Sequence, residues 1–164
     1  MRPARAGDLP RYGVIERAAA TLYAPWGLDG VLADTATPEE RISEAIERGE
    51  LIAAVDAQDV MVGYALSGTD EDDLHLEELA VDPVFGRRGL GTALLDATLA
   101  RGARIRARRV TLVTLDFVPF GRAFYEARGF HVLDAAALSP RLRTLAPPHE
   151  RDGRVAMARA IVTG

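Results

Sequence analysis

Apolar residues recur along the chain in two rhythms. Near the start Tyr12, Ile15, Ala19 and Leu22 are spaced for one helical face, and Asp8 ahead of them predicts an N-cap. A loop carrying Pro25, Trp26, Gly27 and Gly30 follows. Thr37-Pro38-Glu39-Glu40 then predicts a cap, a proline at the first helical position and acidic first-turn residues. That second helix carries Ile42, Ala45 and Ile46 and stops at Gly49. From Leu51 the period changes to two. Leu51 to Val55 and Val60 to Ser67 predict strands joined by a turn at Asp56 to Asp59, with Val60, Val62, Tyr64 and Leu66 alternating against Met61, Gly63 and Ala65.

After an acidic turn at Asp70 to Asp73 comes the strand Leu74 to Val81. Its apolar positions are 74 and 76, then 79 and 81, so the alternation slips at Glu77-Glu78. A slip inside a strand predicts a β-bulge, which changes the face to which the following side chains point. Asp82-Pro83 ends the strand, and a turn from Gly86 to Thr92 opens a helix with Leu90, Leu94, Leu95 and Leu99. Val110 to Leu115 predicts a strand, and Pro119 starts a helix that buries Phe120, Phe124 and Ala127 and caps at Gly129. Phe130 to Leu133 and Arg154 to Ile161 close as strands around a long loop at 136–153. The count is about six strands and about four helices in mixed order, an α/β fold with a bulged central strand.

Composition sharpens this picture mainly by exclusion. With 48% apolar and 27% charged residues in 164, a single globular domain over 1–164 is expected. No apolar run approaches the ~20 residues of a membrane span, and the polar start has no signal-peptide core, so a cytoplasmic protein is expected. Cysteine is absent, which removes disulfides, thiolate metal sites and cysteine nucleophiles. All 20 basic residues are Arg, so no phosphate-binding or Schiff-base lysine exists. His75, His131 and His149 are too scattered to predict a metal site, and none is expected. A net charge of −4 argues against nucleic acid as a partner. The run Arg101, Arg104, Arg106, Arg108, Arg109 reads as a solvated helix C-terminus, or else as a clamp for a polyanion.

Chemistry concentrates after the slipped strand. A strand, a Gly-rich turn and a helix N-terminus in succession form a ready anion site, because backbone N–H groups converge there and the helix dipole favours phosphate. Gly86, Gly89 and Gly91 let a phosphate approach, and Arg87 and Arg88 add charge; the spacing is not the G-x-G-x-x-G of dinucleotide folds.

Leu79-Ala80-Val81-Asp82-Pro83, Phe85 and Arg87-Arg88-Gly89-Leu90-Gly91-Thr92-Ala93-Leu94-Leu95 resemble motif A of the GNAT superfamily of acyl-CoA-dependent N-acetyltransferases. Ala123-Phe124-Tyr125-Glu126-Ala127-Arg128-Gly129-Phe130 resembles its second signature. The resemblance covers nearly the whole chain. It implies a mixed, mostly antiparallel sheet of roughly six or seven strands, whose bulged strand at 74–81 splays from the strand at 110–115. It implies acetyl-CoA as co-substrate, with pantetheine against the backbone of Leu79, Ala80 and Val81 and the pyrophosphate on Arg87, Arg88, Gly89, Leu90, Gly91 and Thr92. Two departures stand out. Gly86 replaces a common Gln or Arg, and the chain has no Asn to hold the pantetheine arm.

Acetyl transfer to an amine needs a neutral nucleophile, donors for the oxyanion and an acid for the departing thiolate. Tyr125 is the expected acid, ~100° round the helix from Phe124, with a packing role as the alternative. Backbone N–H groups near Ala80 and Val81 would serve the oxyanion. His75, Glu77 and Glu78 compete as base, Glu78 leading, and water remains open. By analogy with the superfamily, Tyr23, Trp26 and Asp29 face the acceptor, an amine of unspecified identity, and the 136–153 loop rims the cleft. A homodimer is compatible with the resemblance. The competing readings are a non-catalytic acyl-CoA-binding module on the same fold and a nucleotide-binding regulator, the latter opposed by the glycine spacing and the missing lysine.

Overall fold

In a computed structural model of the chain, residues 1–30, 36–150 and 152–161 are described. The strands are β1 (Arg2–Pro3), β2 (Leu51–Val55), β3 (Met61–Asp70), β4 (Asp73–Val81), β5 (Arg109–Leu115), β6 (His131–Val132) and β7 (Arg154–Ala160). The helices are α1 (Leu9–Ala20), α2 (Glu39–Glu47), α3 (Leu90–Arg104), α4 (Arg122–Glu126) and α5 (Pro140–Leu145). The seven strands are ordered β1-β2-β3-β4-β5-β7-β6. Among the registered neighbours β4 and β5 run parallel and the rest antiparallel, the mixed α/β class the sequence predicts. The chain groups into two compact units, Met1–Ser67 with Glu78–Thr98, and Gly68–Glu77 with Leu99–Gly164.

In the first unit the helical and strand rhythms meet in one core. Tyr12 and Ile15 of α1 and Ile42 and Ala45 of α2 pack with Leu51, Ala53, Met61, Tyr64 and Leu66, all buried. Asp8 holds the N-cap position of α1 as expected, but its side chain makes no cap bond to the helix. Its carboxylate accepts from Arg2 at 2.7 Å and from the Arg5 backbone N–H at 2.8 Å, a charge-assisted pairing that outcompetes a neutral cap. The helix ends at Ala20 and tightens into a 3-10 turn, Thr21–Trp26, that contains Pro25; Leu22 therefore leaves the buried face and stands 43% exposed. Thr37 is not the α2 cap. Pro38, with extended ψ of 139°, holds that position, which frees the Thr37 hydroxyl.

In β3 every residue from Met61 to Gly68 is buried, so the sequence's two-sided alternation there separates two buried faces. A Cβ on Gly63 would lie 2.9 Å from the Ala80 carbonyl oxygen. Glycine at that position allows β3 to approach β4 closely.

In the second unit β4 pairs with β5 from Leu74↔Val110 to Leu76↔Leu112, and β5 pairs with β7 along its whole length. The β4–β5 register ends one residue before Glu77-Glu78, where the alternation slips, and the boundary between the units falls between those two glutamates. The basic run is a solvated helix end only in part: Arg104, in the last turn of α3, and Arg106 and Arg108 beyond it are exposed. Arg101 is buried, and Arg108 and Arg109 grip the buried Asp73 at 3.1 and 2.7 Å. The helix expected from Pro119 is a short one starting at Arg122, and Ala127, predicted buried, is exposed. The expected loop at 136–153 contains α5, capped where the Ser139 hydroxyl accepts from the Leu142 N–H at 3.2 Å. Leu142 packs there with Ala156, Val113, Leu133 and Leu138.

Candidate active site

The segment from Glu78 to Thr92 lies wholly in the first unit. Ala80 joins the core, while Leu79 and Val81 are half-buried on the alternate side of the strand. After β4 the Asp82 carboxylate accepts from the Val84 N–H at 3.1 Å and fixes a 3-10 turn, Pro83–Phe85. Arg87 then takes φ +59° and Gly89 φ +79° before α3 begins at Leu90. A left-handed non-glycine residue costs about 1–2 kcal/mol, so the Arg87 geometry is imposed by the turn. Alternating backbone handedness at a helix N-terminus turns successive N–H groups towards one point. No atom lies within 4 Å of the Cβ position of Gly89, and Arg87, Arg88 and Gly89 are exposed. The turn therefore fits a phosphate group.

Glu78 leads into that turn. Its carboxylate accepts from the Tyr12 hydroxyl at 2.5 Å and from the Thr37 hydroxyl at 3.4 Å on Oε2, and from the Tyr64 hydroxyl on Oε1. The two tyrosine rings stack with centroids 4.1 Å apart, and both residues are fully buried. Burial is the main cause that pushes the Glu78 proton affinity above the ordinary glutamate range; the hydroxyl donors oppose it and the Glu16 carboxylate adds to it. The same desolvation, with the Glu78 charge, raises Tyr12, Tyr64 and Tyr23, so these phenols stay protonated donors.

His75 and Glu77 lie in the second unit. His75 is 2% exposed with Nδ1 3.0 Å from the Thr111 hydroxyl, and burial, aided by Arg141, depresses its pKa to about 4. Glu77 is paired with Arg141 at 3.4 Å. Tyr125 is half-buried on α4, its ring edge-on to Phe124 and Phe130 at centroid distances of 5.0 and 5.7 Å. Tyr23 and Trp26 lie in the 3-10 turn after α1, and Asp29 is exposed beyond it. The structure thus gathers around Glu78 three groups for which the pattern predicts other roles: Tyr12 and Tyr64 as face residues and Thr37 as a cap. The one available signal was that a buried tyrosine hydroxyl requires a partner.

Among the described residues no group of His, Asp and Glu is arranged to hold a metal ion, and no helix is long and apolar enough to cross a membrane. The chain is 30% identical over 100 residues to the uncharacterized protein YdhI of Bacillus subtilis (strain 168), a match over 57% of this chain and 59% of that protein's length. N-acetylglutamate synthase from Neisseria gonorrhoeae, solved with coenzyme A and N-acetyl-glutamate, superposes with a TM-score of 0.76 at 20% identity, covering 99% of this chain and 35% of that one. The PaiA N-acetyltransferase from Thermoplasma acidophilum, solved with coenzyme A, gives 0.75 at 16% identity, covering 97% and 96%. These likenesses show a shared fold. The sequence profile described as an acetyltransferase (GNAT) domain matches residues 24–140, and on that match the chain belongs to the GNAT acetyltransferase family.

Proposed function

We propose that the chain is an N-acetyltransferase that moves the acetyl group of acetyl-CoA to a primary amine by direct attack. One observation carries this reading. Within a single compact unit, β4 leads from a carboxylate held by two tyrosines straight into an exposed left-handed turn at a helix N-terminus. The first feature suits a proton acceptor and the second a pyrophosphate. The structurally similar synthase and PaiA acetyltransferase were solved with coenzyme A, which supports the choice of co-substrate.

Acetyl-CoA supplies a thioester carbonyl. Backbone and guanidinium groups from Arg87 to Thr92 would hold the pyrophosphate, the backbone at Leu79 and Val81 would hold the pantetheine arm, and N–H groups at Ala80 and Val81 would face the oxyanion. Glu78 takes the proton lost by the amine nitrogen as the C–N bond forms. Tyr125 gives its hydroxyl proton to the thiolate sulfur as the C–S bond breaks, and solvent restores both groups. Glu78 has an advantage as acceptor because burial raises its affinity for the proton.

The test is a panel of primary amines with acetyl-CoA, the acetylated product read by mass spectrometry. Product formation that falls with Glu78→Gln supports the reading. Coenzyme A binding without product across the panel would instead favour a non-catalytic acyl-CoA-binding module, and no binding at millimolar acetyl-CoA would refute both.

A further inference from the structure

Tyr12 and Tyr64 are the two largest side chains of the first unit's core, yet both end on the same carboxylate. An apolar pair would fill that volume without the cost of facing a charge in a desolvated place. We propose that Tyr12 and Tyr64 are positioning residues that hold Glu78 ionised and fix which of its lone pairs meets the acceptor. This rests on the reading of Glu78 as proton acceptor.

The geometry limits what Glu78 can bind. An ionised carboxylate offers about four acceptor directions. Tyr12 and, at longer reach, Thr37 use those of Oε2, and Tyr64 uses one on Oε1. Among the described residues no other donor meets Glu78, and the remaining direction, on Oε1, suits a single N–H donor such as one proton of an amine. A guanidinium binds a carboxylate best through both oxygens at once and finds only one open. The acceptor class is therefore an amine presented end-on.

The groups facing Glu78 from each neighbouring element act in known senses. Tyr12 on α1, Tyr64 on β3 and Thr37 before α2 donate to the carboxylate and favour its charged form; Glu16 on α1 repels that charge and is itself held by the Thr37 N–H at 3.0 Å. Tyr23, in the 3-10 turn, feels the Glu78 charge and stays neutral. Removing one tyrosine hydroxyl leaves burial and Glu16 less opposed, so Glu78 should hold its proton to higher pH.

The test is a ¹³C NMR titration of the full chain labelled at glutamate carboxyl carbons, with the Glu78 signal assigned by its loss in Glu78→Gln. In Tyr12→Phe and in Tyr64→Phe the Glu78 midpoint should rise by roughly one pH unit, a tenfold gain in proton affinity. Phenylalanine keeps the stacked ring, and each variant serves alone if the other does not fold. The acid limb of acetyl transfer to any primary amine found in the panel should move with that midpoint. A midpoint unmoved in the Phe variants, even with lowered melting temperature, makes the tyrosines packing residues and overturns the proposal. Full transfer activity in Glu78→Gln overturns the proton-acceptor reading, and the acceptor half of the proposal with it, whatever the titration shows. The two failures are thus distinguishable.

Discussion

Replacing Gly89 by valine should separate cofactor binding from folding. Gly89 has φ +79°, a region that an L residue occupies at a cost of about 1–2 kcal/mol and that a β-branched one resists most. The new Cβ meets no atom within 4 Å beyond the adjoining residues, so this backbone strain is the main loss. For a chain of this length such a loss lowers the melting temperature by roughly 2–8 °C. The space the valine would fill is the approach to the α3 N-terminus, where we propose the pyrophosphate binds. At one hundred times the dissociation constant a ligand stabilises the folded state by about 2.7 kcal/mol, which wild type should show as a rise of roughly 5–11 °C with acetyl-CoA. Gly89→Val should show almost none of it.

Differential scanning fluorimetry with and without acetyl-CoA reads both quantities. Gly49→Val is the control, because Gly49 has φ +65° and an equally open Cβ position but lies in the turn between α2 and β2. It should lose similar intrinsic stability and keep the full acetyl-CoA shift. A wild-type shift in Gly89→Val would refute the assignment of the Arg87–Thr92 turn.

Tyr125→Phe should keep the acetyl-CoA shift, since the ring contacts with Phe124 and Phe130 survive, and lose at least ~10-fold in turnover of an accepted amine; unchanged turnover makes Tyr125 a packing residue. Gly63→Val puts a Cβ 2.9 Å from the Ala80 carbonyl oxygen and should cost about 1–3 kcal/mol in denaturant unfolding, with weakened acetyl-CoA binding because β4 must shift; wild-type stability would show that the strands yield freely. His75, depressed to about 4 when folded, resists a proton that the unfolded chain accepts near pH 6.5, so its contribution is complete above pH 6.5 and roughly 3 kcal/mol of stability is lost as the pH falls to 4. Chemical denaturation across that window should show the loss in wild type and a flatter profile in His75→Gln, and equal profiles would refute it.

Much of the architecture was legible because it is written in local rhythm. Tyr12 and Ile15 on a helical period and Leu51 to Val55 on a strand each pointed to an element that the chain has, and the slip at Glu77-Glu78 falls where the β4–β5 register ends. The α5 cap at Ser139-Pro140 is equally local, though its signal sits within a proline-rich stretch that reads as loop. Other misses have a different cause. Asp8 stands at the predicted N-cap position, but Arg2 on β1 claims the carboxylate that would have made the cap bond, and Leu22 lost its face when the helix tightened before Pro25. The surroundings of Glu78 were illegible for the plainest reason. Its donors lie 66, 41 and 14 residues away along the chain, and no periodicity reports such meetings.

The sequence left His75, Glu77 and Glu78 competing for one role, and spacing alone could not rank them. Physical environment does. A base must gain a proton near neutral pH and then give it up, so its two charge states must be close in free energy there. His75 fails on the first count, because burial beside Arg141 keeps it neutral until about pH 4. Glu77 has its carboxylate occupied by the Arg141 guanidinium at 3.4 Å, a contact that an incoming amine would have to displace. At Glu78 the two influences are opposed: burial favours the acid and three hydroxyls favour the anion. Among the described residues these hydroxyls are the donors that meet Glu78, and they leave one lone pair of Oε1 open. That balance gives Glu78 the strongest claim to proton transfer on β4.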